Sequence, residues 1–260
     1  MEAKIYRFQG PDSVPPVFNH SGSKKGTTGE AGDGARADGR SPLDIRQVFL
    51  KTGIITGAKG SAYIECGNTR VICSVHGPRQ LASSMDFSDT GSLLCDVRFA
   101  AFAKGPEATH KRRDDVLMEE KQLGAFLHRS LVSSIRLESF PKALVEVYVN
   151  ILECDGSELT SAITCATAAL VDAGVELTDL TVGCTLAISK GSSSSILMDP
   201  SKAEIKHAAG VLEVAMQCNH SETITHFVQN GSFEQSESMI RLAIDGCMKM
   251  HRQILRPSLQ

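Results

Sequence analysis

Val145, Val147, Val149 and Ile151 alternate with Glu146, Tyr148 and Asn150, the period-two pattern of a strand with one buried face. Asp155-Gly156-Ser157 breaks that run. Over 159–173 nearly every side chain is small or apolar, which predicts a helix packed on most of its circumference and stopped at Gly174. Residues 181–188 are apolar at both parities, as expected of a strand inside a sheet. Upstream, 48–56 alternates as a strand, and Gly67-Asn68 between 61–66 and 69–76 is the strongest hairpin signal in the chain. A fourth strand is predicted over 93–102. After a polar loop over 104–115, a helix carries Val116, Leu123, Leu127, Leu131 and Ile135 on one face and runs to just before Phe140-Pro141. Downstream, 211–217 and 223–228 read as a hairpin. Residues 234–255 read as a closing amphipathic helix with Met239, Leu242, Ala243, Gly246, Met250 and Ile254 inward.

Both halves share one rhythm, strands followed by a helix against them. The pattern predicts a layered α/β (α+β) architecture of two related lobes, about 38–140 and 141–260. Residues 19–42 hold no aliphatic side chain larger than alanine, so a tail over 1–37 is expected to stay largely disordered.

Composition narrows the function classes. The chain has 260 residues and a formal net charge of −3, which excludes a grossly basic nucleic-acid binder and permits a local basic surface. Eight cysteines occur without a C-x-x-C or a His/Cys zinc spacing. Cys73, Cys165 and Cys184 lie in apolar runs and read as small core residues of a reducing compartment. No leader and no membrane-length apolar run is evident, so a soluble intracellular protein is expected. His207, His220 and His226 show no ligand spacing and are expected at the surface or in turns.

One stretch carries chemical interest. A polar turn that opens a buried helix can hold an anion on its outward N–H groups. Here Ser157-Glu158-Leu159 occupies that place, and neither a glutamate nor a leucine suits phosphate.

R-A-D-G-R at 36–40, G-S-A-Y-I-E at 60–65, G-P-R at 77–79, F-P at 140–141, D-A-G-V at 172–175 and L-x-D at 197–199 occur in a recognisable order. Together they resemble the RNase PH family, and within it the RNase PH-like ring subunits of the eukaryotic RNA exosome, from Arg36 to the C-terminus. The resemblance implies a two-lobed fold of the ribosomal-protein-S5-domain-2-like type with mixed sheets packed against helices. It also implies a ring built with other RNase PH-like subunits and threaded by single-stranded RNA. Caps with OB-type and KH-type domains and a separate hydrolytic exoribonuclease would complete the complex. No cofactor or membrane is implied, and the localisation would be nucleus, nucleolus and cytoplasm.

Phosphorolysis needs arginines to hold the attacking phosphate and acidic groups for proton transfer or metal-assisted charge control. At the central turn the resemblance leaves Asp155 and Gly156 in place, but Leu159 stands where a phosphate arginine falls. Counting back from Phe140-Pro141, Met118 and Glu119 take the place of a second arginine; with a different spacing Arg112 or Arg113 would take it instead. Asp199 matches the first of two carboxylates, and Ile205 replaces the other, with Glu204 beside it on a different bearing. The resemblance therefore implies a vestigial site and a structural role in rRNA maturation, mRNA turnover and RNA surveillance. Asp199 then reads as a strand end that tethers the Pro200-Ser201 turn, and Asp155 as a turn residue. An active phosphate-dependent exoribonuclease, alone or through a site shared with a neighbour, is the alternative; a freestanding RNA-binding module fits less well. Arg79, Lys104, Lys111, Arg112 and Arg113 are expected on loops, either lining an RNA channel or solvated beside Glu107, Asp114 and Asp115.

Overall fold

The computed structural model describes residues 36, 38–80, 89–104, 113–189, 195–219, 222–231 and 236–255; of the tail expected over 1–37 all but Arg36 lies outside them, as do Lys111, Arg112 and His220. Through the middle runs helix α2 (Glu158–Asp172), in which every residue from 159 to 170 is buried. On one side it meets β2 (Gly60–Cys66) and β3 (Thr69–Gln80), and on the other β6 (Thr181–Ser189). Its alanines, serines and threonines keep the helix thin enough to lie between two sheets. The hydroxyls bond locally or across: Thr167 Oγ1 donates to the Thr181 carbonyl at 2.8 Å, and Thr160 Oγ1 lies 3.0 Å from Thr185 Oγ1. Gly183 of β6 permits the close approach, because a Cβ there would sit 2.7 Å from Thr160 Cα.

The first sheet has the order β1-β2-β3-β5-β4, adding β1 (Val48–Thr52), β4 (Ser92–Phe99) and β5 (Ala143–Glu153). The β4–β5 pair is parallel and is bridged by α1 (Arg113–Val132); the others are antiparallel. Val145, Val147, Val149 and Ile151 point into the core, as the alternation requires. The second sheet has the order β7-β6-β8-β9, with β7 (Ile196–Met198), β8 (Ala208–Gln217) and β9 (Ile224–Gly231). The short helix α3 (Lys202–His207) joins β7 to β8, and α4 (Ser236–Met250) covers the face of β6 opposite α2. Two covered faces explain why β6 is apolar at both parities.

Several sequence expectations shift. Strand β1 ends at Thr52, before Gly53 with φ +68. Helix α1 ends at Val132. Tertiary pairing wins there: Thr178 N–H donates to the Ser134 carbonyl at 2.7 Å, and Ile135 bridges to Leu177 outside the helix. The segment after Asp199 contains α3, announced by a Ser-x-x-Glu capping box at Ser201 and Glu204. The closing helix changes to a π-helical turn over His251–Leu255. Strand β5 belongs to the first sheet, so a lobe border at 140–141 would cut that sheet.

Candidate functional site

The end of β5, the start of α2 and the end of β7 converge on the Asp155-Gly156-Ser157 turn. Asp155 N–H donates to Thr69 Oγ1 at 3.1 Å, and the Thr69 hydroxyl donates to the Gly156 carbonyl at 2.8 Å, which fixes the turn to the β2–β3 hairpin. The Asp155 carboxylate accepts from Asn68 Nδ2 at 3.2 Å and from Lys202 N–H at 3.3 Å. Gly156 has φ +89 and Ser157 φ +58. A Cβ on Gly156 would lie 2.6 Å from the Pro200 carbonyl oxygen and 3.0 Å from Ile205 Cδ1. Thus Ile205, which the resemblance sets at the place of the second acid, packs over the turn as an apolar roof.

The start of α2 is closed to an anion. Leu159 is buried in the core with 2% of its surface exposed. Glu158 turns its own carboxylate back, and Gly156 N–H donates to its Oε1 at 3.2 Å. The N–H that an anion would use therefore already has an internal anion. On β8, Glu213 sits in register with Thr185 and Val228, on the face toward α2. Burial, together with the nearby Glu158, pushes its carboxyl up to about 7. A second acid at this spot makes the environment hostile to phosphate.

Asp199 does not tether the Pro200-Ser201 turn, as the sequence suggested; it binds Arg46. Arg46 Nε donates to Oδ2 at 2.8 Å, Nη2 to Oδ1 at 2.6 Å, and the Arg46 backbone N–H to Oδ2 at 3.1 Å. The same guanidinium donates to the Asp155 carbonyl at 2.9 Å and the Gly156 carbonyl at 3.2 Å. Burial alone would raise the Asp199 carboxyl, but Arg46 outweighs it and holds the group below the usual carboxylate range. A cavity of about 10 Å³ against Asp199, lined in part by Cys66, Thr160 and Ser161, has room for about one water and none for phosphate. The Cys66 thiol, pushed up to about 12 chiefly by burial, offers no nucleophile.

A second buried arginine completes the cluster. Arg36 donates to both Glu204 oxygens at 2.8 and 2.7 Å, and to the Met198 and Asp199 carbonyls at 2.8 and 3.1 Å. The sequence sets Arg36 inside the tail expected over 1–37, but the structure packs it against α3. Glu204 also accepts from Ser201 N–H at 2.8 Å as the capping acid. Burial would raise its carboxyl, and Arg36 holds it down. Sequence reasoning missed Arg36, Arg46 and Glu213. Arg36 stood in the quoted R-A-D-G-R block and Glu204 in the capping box, so that pair had a signal. Arg46 had none, and Glu213 sat on what read as the polar parity of its strand.

Of the basic residues expected on loops, Lys104 lies in the turn after β4, while Arg79 and Arg113 lie in regular elements. Arg79 lies within β3, three residues past His76, and its guanidinium is 3.6 Å from Glu146. Lys104 is largely covered: its ammonium pairs with Glu119 and rests 3.6 Å from the centre of the Phe99 ring. Arg113 is exposed but opens α1 beside Asp114 and Asp115. Lys111 and Arg112 lie outside the described residues. His226 is buried in β9 against Phe126, ring centres 5.1 Å apart, so it is no surface residue.

Residues 44–176 match the RNase PH family, described as the 3' exoribonuclease family, domain 1. The exosome complex component MTR3 of Homo sapiens is 33% identical over 267 aligned residues, which cover 97% of this chain and 93% of that one. Among solved structures, rice (Oryza sativa) Rrp46 superposes with a TM-score of 0.71 at 24% identity, covering 86% of this chain and 100% of its own. An Archaeoglobus fulgidus exosome with RNA bound to the active site superposes at 0.69 and 22% identity, covering 88% and 94%. These two likenesses establish the fold.

Proposed function

This chain belongs to the RNase PH family, and on that premise we propose that it is a catalytically silent ring subunit of an RNA exosome. The observation that carries the silent half is the occupied turn: Leu159 is buried where a phosphate arginine falls, and the Glu158 carboxylate takes the Gly156 N–H. Loss of one preorganised charge-stabilising group typically costs about 10²–10³ in rate. With Met118 and Glu119 at the second arginine position and Ile205 at the second acid, neither a phosphate cradle nor an acid pair is left to act as a unit. The Arg46–Asp199 and Arg36–Glu204 pairs turn the remaining polar groups inward, where they hold the chain together.

The ring half rests on the relative named as an exosome complex component, aligned over nearly its whole length. In that role the chain positions neighbouring RNase PH-like subunits and OB/KH-type caps, while a separate hydrolytic nuclease degrades the RNA in rRNA maturation, mRNA turnover and surveillance. Its localisation would be nucleus, nucleolus and cytoplasm. In the RNA channel Arg79 and Lys104 offer little free charge, since both pair with carboxylates.

The test is the native mass and subunit composition of the tagged chain drawn from cell extract. A large hetero-oligomer with each ring subunit present once is expected. A homohexamer of this chain alone would overturn the reading and return attention to phosphorolysis.

A further inference from the structure

The two sheets have four edge strands: β1, β4, β7 and β9. An edge strand offers a row of unpaired N–H and C=O groups, and folded chains blunt it with charge, shortness or a cover. Three of these edges are blunted. Strand β1 carries the exposed Lys51, and β4 carries the Asp96–Arg98 ion pair at 2.9 Å. Strand β7 is three residues long, and Met198 N–H donates to the Pro42 carbonyl at 2.8 Å, so the N-terminal segment lies over it.

Strand β9 has none of these devices. Its sequence, Ile-Thr-His-Phe-Val-Gln-Asn-Gly, contains no Lys, Arg, Asp, Glu or Pro. His226 faces inward against Phe126, and burial, with Arg129 nearby, lowers its pKa and favours the neutral ring. The register with β8 has one irregularity at the start of the strand and runs unbroken from His226 to Gly231. No strand lies on its outer side among the described residues. Ile224 and Phe227 are 42% and 44% exposed along it.

We propose that β9 is a strand-pairing edge: an extended segment of a neighbouring protein subunit adds beside it and covers Ile224 and Phe227. The inference rests on the ring reading above. A long, uncharged edge with exposed apolar side chains suits a protein strand, whose backbone supplies the missing bonds and whose alternate apolar residues bury the side chains. RNA is the poorer occupant, because an anionic backbone calls for cations and β9 has none.

The experiment compares amide hydrogen exchange in β9 between the purified chain and the complex isolated through that chain. It is paired with Ile224→Lys/Phe227→Lys, two exposed positions whose substitution should leave the melting temperature unchanged. Leu94→Lys on the exposed part of β4 serves as the control. The β9 amides should exchange about tenfold or more slowly in the complex. The double variant should lose its ring neighbours while the control retains them. A complex whose β9 amides exchange as fast as those of the free chain, or a folded double variant that recovers its neighbours at wild-type yield, overturns the inference and leaves the ring reading standing. Protection of β9 in a homodimer assigns the edge to a second copy instead. Recovery of the chain only as a monomer overturns both readings.

Discussion

Arg46 grips Asp199 through two parallel bonds, Nε to Oδ2 at 2.8 Å and Nη2 to Oδ1 at 2.6 Å, and both side chains are buried. The pair ties the residue just past β7 to the segment that leads into β1. Losing either partner strands the other charge in the core. Arg46→Met or Asp199→Leu should therefore destabilise the fold by about 3–5 kcal/mol each. The double variant should cost less than the sum, as expected for coupled groups. Urea unfolding midpoints of the three proteins check this.

Acid should find the same cluster. Asp199 and Glu204 both have carboxyls held low by arginines. A lowered folded-state value means stability that is present above the unfolded value, near 4, and lost as pH falls through the folded one. Thermal melts between pH 6 and pH 3 should show a steep decline, and Glu204→Gln should flatten part of it.

Glu213 should act in the opposite direction. Its carboxyl is pushed up to about 7, so the stabilising protonated form is complete below the unfolded value and is lost as pH rises through 7. One pK unit corresponds to about 1.4 kcal/mol. Allowing for the part of the side chain that solvent reaches, the wild type should lose about 2 kcal/mol between pH 5 and pH 8. Glu213→Gln should remove that loss, which chemical denaturation at the two pH values would reveal.

Restoring one arginine should not restore the site. Leu159→Arg places a long cation in a packed core and leaves Glu158 on the Gly156 N–H. A loss of about 2 kcal/mol from overpacking is expected, with no phosphate binding in calorimetric titration. Glu158→Thr/Leu159→Arg, which also frees the N–H, should bind phosphate more tightly than the single variant.

Legibility in the sequence followed how local each cause is. Alternation over 145–151 and the small-residue run of α2 were readable because period and side-chain size act within one element. The Gly67-Asn68 hairpin was readable for the same reason. The end of α1 was not, since Ile135 leaves the helix to pair with Leu177, far away in sequence. Asp199 was visible as a candidate acid, yet its partner Arg46 lies 153 positions away and no spacing announces it. The charge of Lys104 was plain in the sequence. Its neutralisation by Glu119 and Phe99 appears only when β4 and α1 are brought together.

The most direct measurement of silence is phosphate-dependent release of nucleoside diphosphates from a single-stranded RNA by the purified chain, with the isolated complex run beside it. The chain alone should release none at any phosphate concentration, while it is recovered intact in the complex. Diphosphates released by the chain in proportion to phosphate would contradict it.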